Sequence, residues 1–436
     1  MSKALGRATY LFFFLLFFIL APVFTMYGLG YRYNFDTSQI EKNGAFYVKS
    51  FPKGATIFVD EEEMDSDTPT QLTNIKPGKH LLQVRKNKYR TWQKELDVYS
   101  GETTFAEDVV LFYQNMTKTW VGNGSETFSV NRNQDKYAYV NKDKQLHITD
   151  IEDGRDFNVF TLPEKMTILD WSADNQRLLL TDGNDFYIFD INQKNLNHIY
   201  PNRNHVSVLL NEKIIWDDKN SNLLWYLYDD QLWQFDISNP FEPNIRSVEF
   251  DKKISDFTLA NDYLIVQYII NGNSYVEQLK KDSLESIKTI GKLSLGNLDT
   301  LLVDDQKIIF TVGTKLYVKY TYRDLITIPI VMAKIHDDRL LITNGHEIIL
   351  YNYKEDWQEL IDRSSQIISD ILWHPNGSYF LSEINGQTKI TEIDGRDQRN
   401  IIDVVENPHK KLYLFNSKGD NLFILTPEEN YYLNVQ

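Results

Sequence analysis

Beyond Tyr113 the chain repeats itself at a period of about 40 residues, and self-similarity of that length restricts the fold to a solenoid, a propeller or an array. The clearest copies are 168–191 (ILDWSADNQRLLLTDGNDFYIFDI) and 371–393 (ILWHPNGSYFLSEINGQTKITEI). Each reads as a strand ending in Trp, a polar turn, an apolar strand, a Gly or Asn turn, and an alternating strand. Weaker copies centre on 137–150, 214–237, 257–279, 301–320, 331–353 and 412–433. A helical repeat would need apolar residues at i, i+3, i+4 and i+7, whereas Leu178-Leu179-Leu180 and Ile308-Ile309-Phe310 are short runs between turn residues. Helical solenoids are thereby excluded. The 26 Tyr, 25 Phe and 8 Trp point the same way, because flat side chains suit pleated surfaces.

Four short strands per unit make a propeller blade, so 126–436 is expected to form a β-propeller of eight four-stranded blades, with seven as the alternative. The segments Trp171-Ser172-Ala173-Asp174-Asn175 and Trp373-His374-Pro375-Asn376-Gly377 resemble the W-S-P-D-G turn of TolB-like and WD-type propellers. Trp171 and Trp373 are expected to pack between neighbouring blades. The polar stretch 113–125 reads as a linker in which Lys118 to Val121 adds a closing strand to the last blade.

Upstream, 45–112 alternates in period 2 with turn punctuation, the pattern of a small β-sandwich. Strands are expected at 45–50, 56–59, 80–85, 94–98 and 106–112, with 60–67 as a polar acidic loop. The order Pro52-Lys53-Gly54-Ala55, Ile57-Phe58-Val59-Asp60, Thr68-Pro69, Lys76-Pro77-Gly78-Lys79-His80, Lys86-Asn87-Lys88-Tyr89 and Gly101 resembles the PEGA domain. Lys53 stands where the name-giving Glu would be. The resemblance implies an extracytoplasmic envelope module without a catalytic role. Gly54 and Gly78 read as positions needing positive φ, and Asp60 as a loop-closing side chain.

At the N-terminus, 8–31 is free of charged residues and includes YLFFFLLFFILA from Tyr10. A spanning helix needs about 20 apolar residues, so 8–31 is read as one uncleaved transmembrane helix followed by a linker at 32–44. Lys3 and Arg7 in the 1–7 segment place the N-terminus in the cytoplasm and the rest outside. Tyr27, Tyr31 and Tyr33 fall at the outer interface.

Chemistry is sparse. The formal net charge of −15 argues against nucleic acid, and the absence of Cys removes disulfides, thiolate metal sites and thiol nucleophiles. His80, His147, His198, His205, His336, His346, His374 and His409 are scattered without metal spacing and read as surface or turn residues. No H-E-x-x-H, G-x-S-x-G, Walker or Rossmann fingerprint occurs. The run Asp218, Asn220, Asn222 fails as a calcium loop because Leu223 sits where Gly is demanded and Asp229 where Glu is. Glu61, Glu62, Glu63, Asp65 and Asp67 read as a solvated loop.

The expected protein is therefore all-β apart from one helix, non-enzymatic, and has no catalytic, cofactor or metal site. It is expected to be a single-pass protein of the bacterial cell membrane whose extracytoplasmic propeller presents a protein- or glycan-binding face. The alternative is a propeller hydrolase acting on envelope glycans or peptides through two carboxylates.

Overall fold

The computed structural model describes residues 3–34, 39–199, 213–239, 244–304, 306–321, 324–406, 410 and 412–436. The chain divides into two compact units. One comprises Met1–Met116 together with Glu392–Ile402 and Gln436; the other comprises Thr117–Thr391 and Asp403–Val435.

The first unit opens on a helix, Lys3–Gly28. Its stretch Thr9–Gly28 is long and apolar enough to cross a membrane, and none of it is buried against protein. The expected linker at 32–44 instead carries a two-stranded hairpin, Tyr31–Asn34 against Gln39–Lys42, with Tyr33 opposite Ile40. The chain then builds a sandwich of two sheets. Three strands run in the order Thr70–Ile75, Gly44–Phe51, Thr103–Val110, and four in the order Glu62–Asp67, Thr56–Val59, Gly78–Arg85, Trp92–Val98. Phe46, Val48, Ile57, Leu82, Val84, Trp92 and Leu96 form the core between them.

Two of these strands are absent from the sequence reading. The acidic loop expected at 60–67 is a turn plus an edge strand: Asp60 (φ 51°) and Glu61 (φ 71°) make the tight connection, and Glu62–Asp67 then pairs back onto Thr56–Val59. Exposed charges on a sheet edge deter pairing with other chains, so polarity there marks an edge strand and not a loop. Thr70–Ile75 was hidden in the same way by its mostly exposed polar residues.

The second unit is a β-propeller, with eight four-stranded antiparallel sheets among the described residues. In seven blades the strands follow chain order. The eighth combines Leu412–Phe415, Asn421–Leu425 and Glu429–Asn434 with Thr117–Asn123, which pairs along Glu429–Asn434 with Lys118 opposite Leu433. That strand, from the start of the unit, closes the ring, and the eight sheets among the described residues agree with the expectation of eight blades and not with the alternative of seven.

First strands of neighbouring blades touch one another, so they converge on the axis. Second strands are sandwiched by the adjoining blades on both faces. Tyr137-Ala138-Tyr139, Leu178-Leu179-Leu180, Ile308-Ile309-Phe310, Leu340-Leu341-Ile342 and Tyr379-Phe380-Leu381 are accordingly all fully buried. This explains why the repeat is legible as short continuous apolar runs.

A polar residue directly after the first strand organises the turn to the second. Asn131 accepts the N–H groups of Asp135 and Lys136, Ser172 that of Arg177, Asp304 those of Gln306 and Lys307, and Asn416 that of Asn421. These side chains close a turn whose backbone groups would otherwise lack partners. Trp171 and Trp373, one step earlier, pack between blades. The indole N–H of Trp171 donates to the Ser129 carbonyl (3.2 Å), and that of Trp373 to the Lys334 carbonyl (2.9 Å), each in the preceding blade.

Candidate functional site

Around the propeller axis three first strands share a bulged Ile-x-Asp: Ile168-Leu169-Asp170, Ile254-Ser255-Asp256 and Ile368-Ser369-Asp370. The bulge turns each carboxylate toward adjacent blades. One oxygen accepts the following residue's amide, from Trp171, Phe257 and Ile371 at 2.7–2.8 Å. The second oxygen of Asp170 accepts the Trp216 amide (2.9 Å), and that of Asp256 the Leu298 amide (2.7 Å), both from the next blade.

Each also meets a cation from a neighbouring blade. Arg132 lies 3.8 Å from Asp170 and donates to the Trp216 carbonyl. Lys213 pairs with Asp256 at 2.9 Å, and Lys410 with Asp370. Lys410 also stands 3.7 Å from Glu383, whose other oxygen accepts the Ser369 hydroxyl (2.7 Å). Burial pushes the Asp170 carboxyl above its ordinary range, against the opposing pull of the Trp216 amide, Arg132 and the Trp171 amide. A raised carboxyl is what a general acid needs, but here its cause is burial among blade-to-blade bonds.

The run around Asp218 holds a lysine. Lys281 Nζ lies 3.1 Å from Asp217 and 2.5 Å from Asp218. Burial works to raise the Asp217 carboxyl, but the amides of Lys219 and Asn220, the Trp225 indole and Lys281 hold it below the usual range. Among the described residues no group of three His, Asp or Glu is arranged to hold a metal ion.

In the sandwich, the resemblance residues find one another. Asp60 accepts the Leu81 amide (2.9 Å) and pairs with His80 Nδ1 (2.6 Å), while His80 Nε2 meets the Lys76 carbonyl. Lys86 donates to the carbonyls of Lys53 and Gly54, and the Thr68 hydroxyl accepts the Ala55 amide. Gly54 (φ 69°) and Gly78 (φ 136°) occupy the left-handed region as expected. The motif thus fixes turns to one another.

Of the histidines, His205 and His409 lie outside the described residues. His147 pairs with Asp156 at 2.6 Å, His198 lies 3.4 Å from Asp185, His336 packs on Trp373, and His346 meets the Ser364 carbonyl. His374 departs from the surface reading: it is buried, with Nε2 3.2 Å from the Gly419 carbonyl of the next blade.

The sequence reading missed a buried ionic cluster in the first unit. Lys94 occupies the inward row of Trp92–Val98, beside Trp92 and Leu96, yet carries a charge. Its ammonium reaches Glu392 (3.2 Å) and the carbonyls of Asp394 (2.7 Å) and Gln398 (3.3 Å). Trp92 Nε1 donates to the same carboxylate, and Asp397 accepts the Glu95 amide. The only local signal was a lysine at an apolar position of an alternating strand.

Comparison with known proteins agrees with this architecture. Residues 43–109 match the PEGA domain family. Among solved structures, the chain is similar to the Dos1 propeller (TM-score 0.50, 14% identity, covering 73% of this chain and 94% of that one). It is likewise similar to a eukaryotic initiation factor (TM-score 0.52, 12% identity, 72% and 88%). At such identities the likeness establishes the fold alone. No curated protein matches the chain. The class is that of a PEGA domain joined to an eight-bladed propeller behind an apolar N-terminal helix.

Proposed function

We propose that this is a membrane-anchored binding or scaffolding protein of the bacterial cell envelope, with the helix as single-pass tether and the propeller as an extracytoplasmic binding face for a protein or glycan. The observation that carries the reading is the engagement of the axial carboxylates. Both oxygens of Asp170 and of Asp256 already accept a backbone amide, one from the same blade and one from the next, which suits a rigid platform better than a reaction centre. The PEGA match supports an extracytoplasmic place, and the unburied helix Thr9–Gly28 supports anchoring.

The rival reading is a hydrolase of envelope glycans or peptides. It draws on Asp370 and Glu383, two carboxylates that share Lys410.

Because the chain has no cysteine, Lys418→Cys introduces one labelling position. In intact cells that position should react with a membrane-impermeant maleimide, and the protein should stay with membranes through an alkaline carbonate wash. Labelling only after permeabilisation, or release by the wash, would overturn the placement.

A further inference from the structure

We infer that the hairpin following the helix is a lipid-facing platform, lying with its Tyr33–Ile40 face in the headgroup layer of the bilayer. This rests on the anchoring reading above. The helical stretch Thr9–Gly28 has 20 residues, which at about 1.5 Å each matches a hydrocarbon core of about 30 Å. The hydrocarbon boundary therefore falls at Gly28, and the hairpin begins three residues later, at Tyr31.

The hairpin is tied to the helix end. The Gly30 amide donates to the Tyr27 carbonyl, the Asn43 amide to the Gly30 carbonyl, and the Arg32 guanidinium lies 3.4 Å over the Tyr27 ring while donating to the Tyr27 carbonyl. A strand rises about 3.3 Å per residue, so Tyr33 and its partner Ile40 lie only two residues, roughly 7 Å, beyond the start of the hairpin at Tyr31. Period-2 alternation sorts the two faces. Tyr31, Tyr33, Ile40 and Lys42 share one, and Arg32 and Glu41 the other.

On the first face Tyr33 is 51% and Ile40 59% exposed to solvent. The turn after Trp92–Val98, which carries the 60% exposed Tyr99, is fixed to the hairpin by the Ser100 hydroxyl donating to the Lys42 carbonyl. A tyrosine and an isoleucine exposed on one face of a hairpin tied to the end of an apolar helix match the chemistry of the membrane interface, where amphipathic rings concentrate. Arg32, on the opposite face with Glu41, folds back over the Tyr27 ring and ties the hairpin to the helix end.

The test uses the full chain reconstituted into vesicles of phosphatidylcholine and phosphatidylglycerol. Single cysteines at Leu16→Cys, Tyr33→Cys, Ile40→Cys and Glu41→Cys would each carry a nitroxide, and collision with oxygen and with a water-soluble nickel complex would report depth. The expected pattern is a label at 16 shielded from nickel, labels at 33 and 40 with a clear loss of nickel accessibility, and a label at 41 that stays accessible. Labels at 33 and 40 as accessible as that at 41, with 16 still shielded, would overturn the platform and leave the anchor standing. A label at 16 open to nickel would overturn the anchor and the platform together.

Discussion

Lys94 and Glu392 form an ion pair of 3.2 Å inside the first unit, with side chains 0% and 5% exposed, although nearly 300 residues separate them in the chain. Among the described residues Trp92–Val98 is the edge of its sheet, with no strand on its outer side. Asp397 accepts the Glu95 amide, and Asn400 exchanges contacts with Gln93 and Glu392. Side chains of Glu392–Ile402 therefore protect the edge in place of a further strand.

Removing one partner of a buried pair leaves the other charge uncompensated, at a cost of about 3–5 kcal/mol. Lys94→Met should accordingly destabilise the first unit by that order and raise hydrogen exchange in both 92–98 and 392–402. Unchanged protection in the two segments would show that the pair contributes little.

Trp171 and Trp373 set a second expectation. Truncation of a buried Trp costs about 3–5 kcal/mol, so Trp171→Ala should lower propeller stability by that order. Trp171→Phe retains a ring while removing the N–H that reaches Ser129, and should cost less, about 1 kcal/mol for the hydrogen bond beyond the smaller ring. Denaturant midpoints that fail to rank Phe between wild type and Ala would contradict an interblade packing role.

How much of this was legible follows from where each signal is stored. The blade repeat is stored in runs such as Leu178-Leu179-Leu180, buried on both faces and so visible in any window. The closing strand was visible because Val121 and its neighbours precede the first blade with no partner of their own. Glu62–Asp67 was invisible because an edge strand is selected for charge, which reads as loop. The axial Asp170, Asp256 and Asp370 repeat as Ile-x-Asp, a signal that was present but submerged among 61 acidic residues. The Lys94 cluster could not be read at all, because Glu392 lies nearly 300 residues further along the chain.

His374 should make stability depend on pH. Its folded-state pKa is lowered, first by burial and further by the neighbouring His336, against the opposing hydrogen bonds to Asn376 and Gly419. The unfolded chain takes up a proton near pH 6.5 while the folded chain stays neutral. The contribution is therefore complete above that pH and is lost as pH falls below it. Wild-type stability should decline between pH 7 and pH 5.5 by up to about 1.4 kcal/mol per pH unit from this group. His374→Asn should be less stable at pH 7 yet show a shallower decline. Parallel declines in the two proteins would assign the acid sensitivity elsewhere.

The last expectation concerns Asp370, Glu383 and Lys410, where scaffold and hydrolase part. In the scaffold reading the lysine serves to hold two carboxylates of the seventh blade against the start of the eighth. Lys410→Met then removes the cation that Asp370 and Glu383 share and leaves like charges facing each other in a poorly solvated place, which is unfavourable. Adding Glu383→Gln to Lys410→Met removes one charge and should recover part of the loss, a coupling that a double-mutant cycle measures directly. Asp370→Asn and Glu383→Gln alone should shift stability modestly and leave partner capture per folded molecule intact. A hydrolase behaves otherwise, because each carboxylate has a separate role in the reaction and neither isosteric amide can replace it. If any envelope glycan or peptide is turned over by the wild type and that rate falls by orders of magnitude in both isosteric variants while folding is preserved, the three residues are a reaction centre and the binding role proposed for this propeller is wrong.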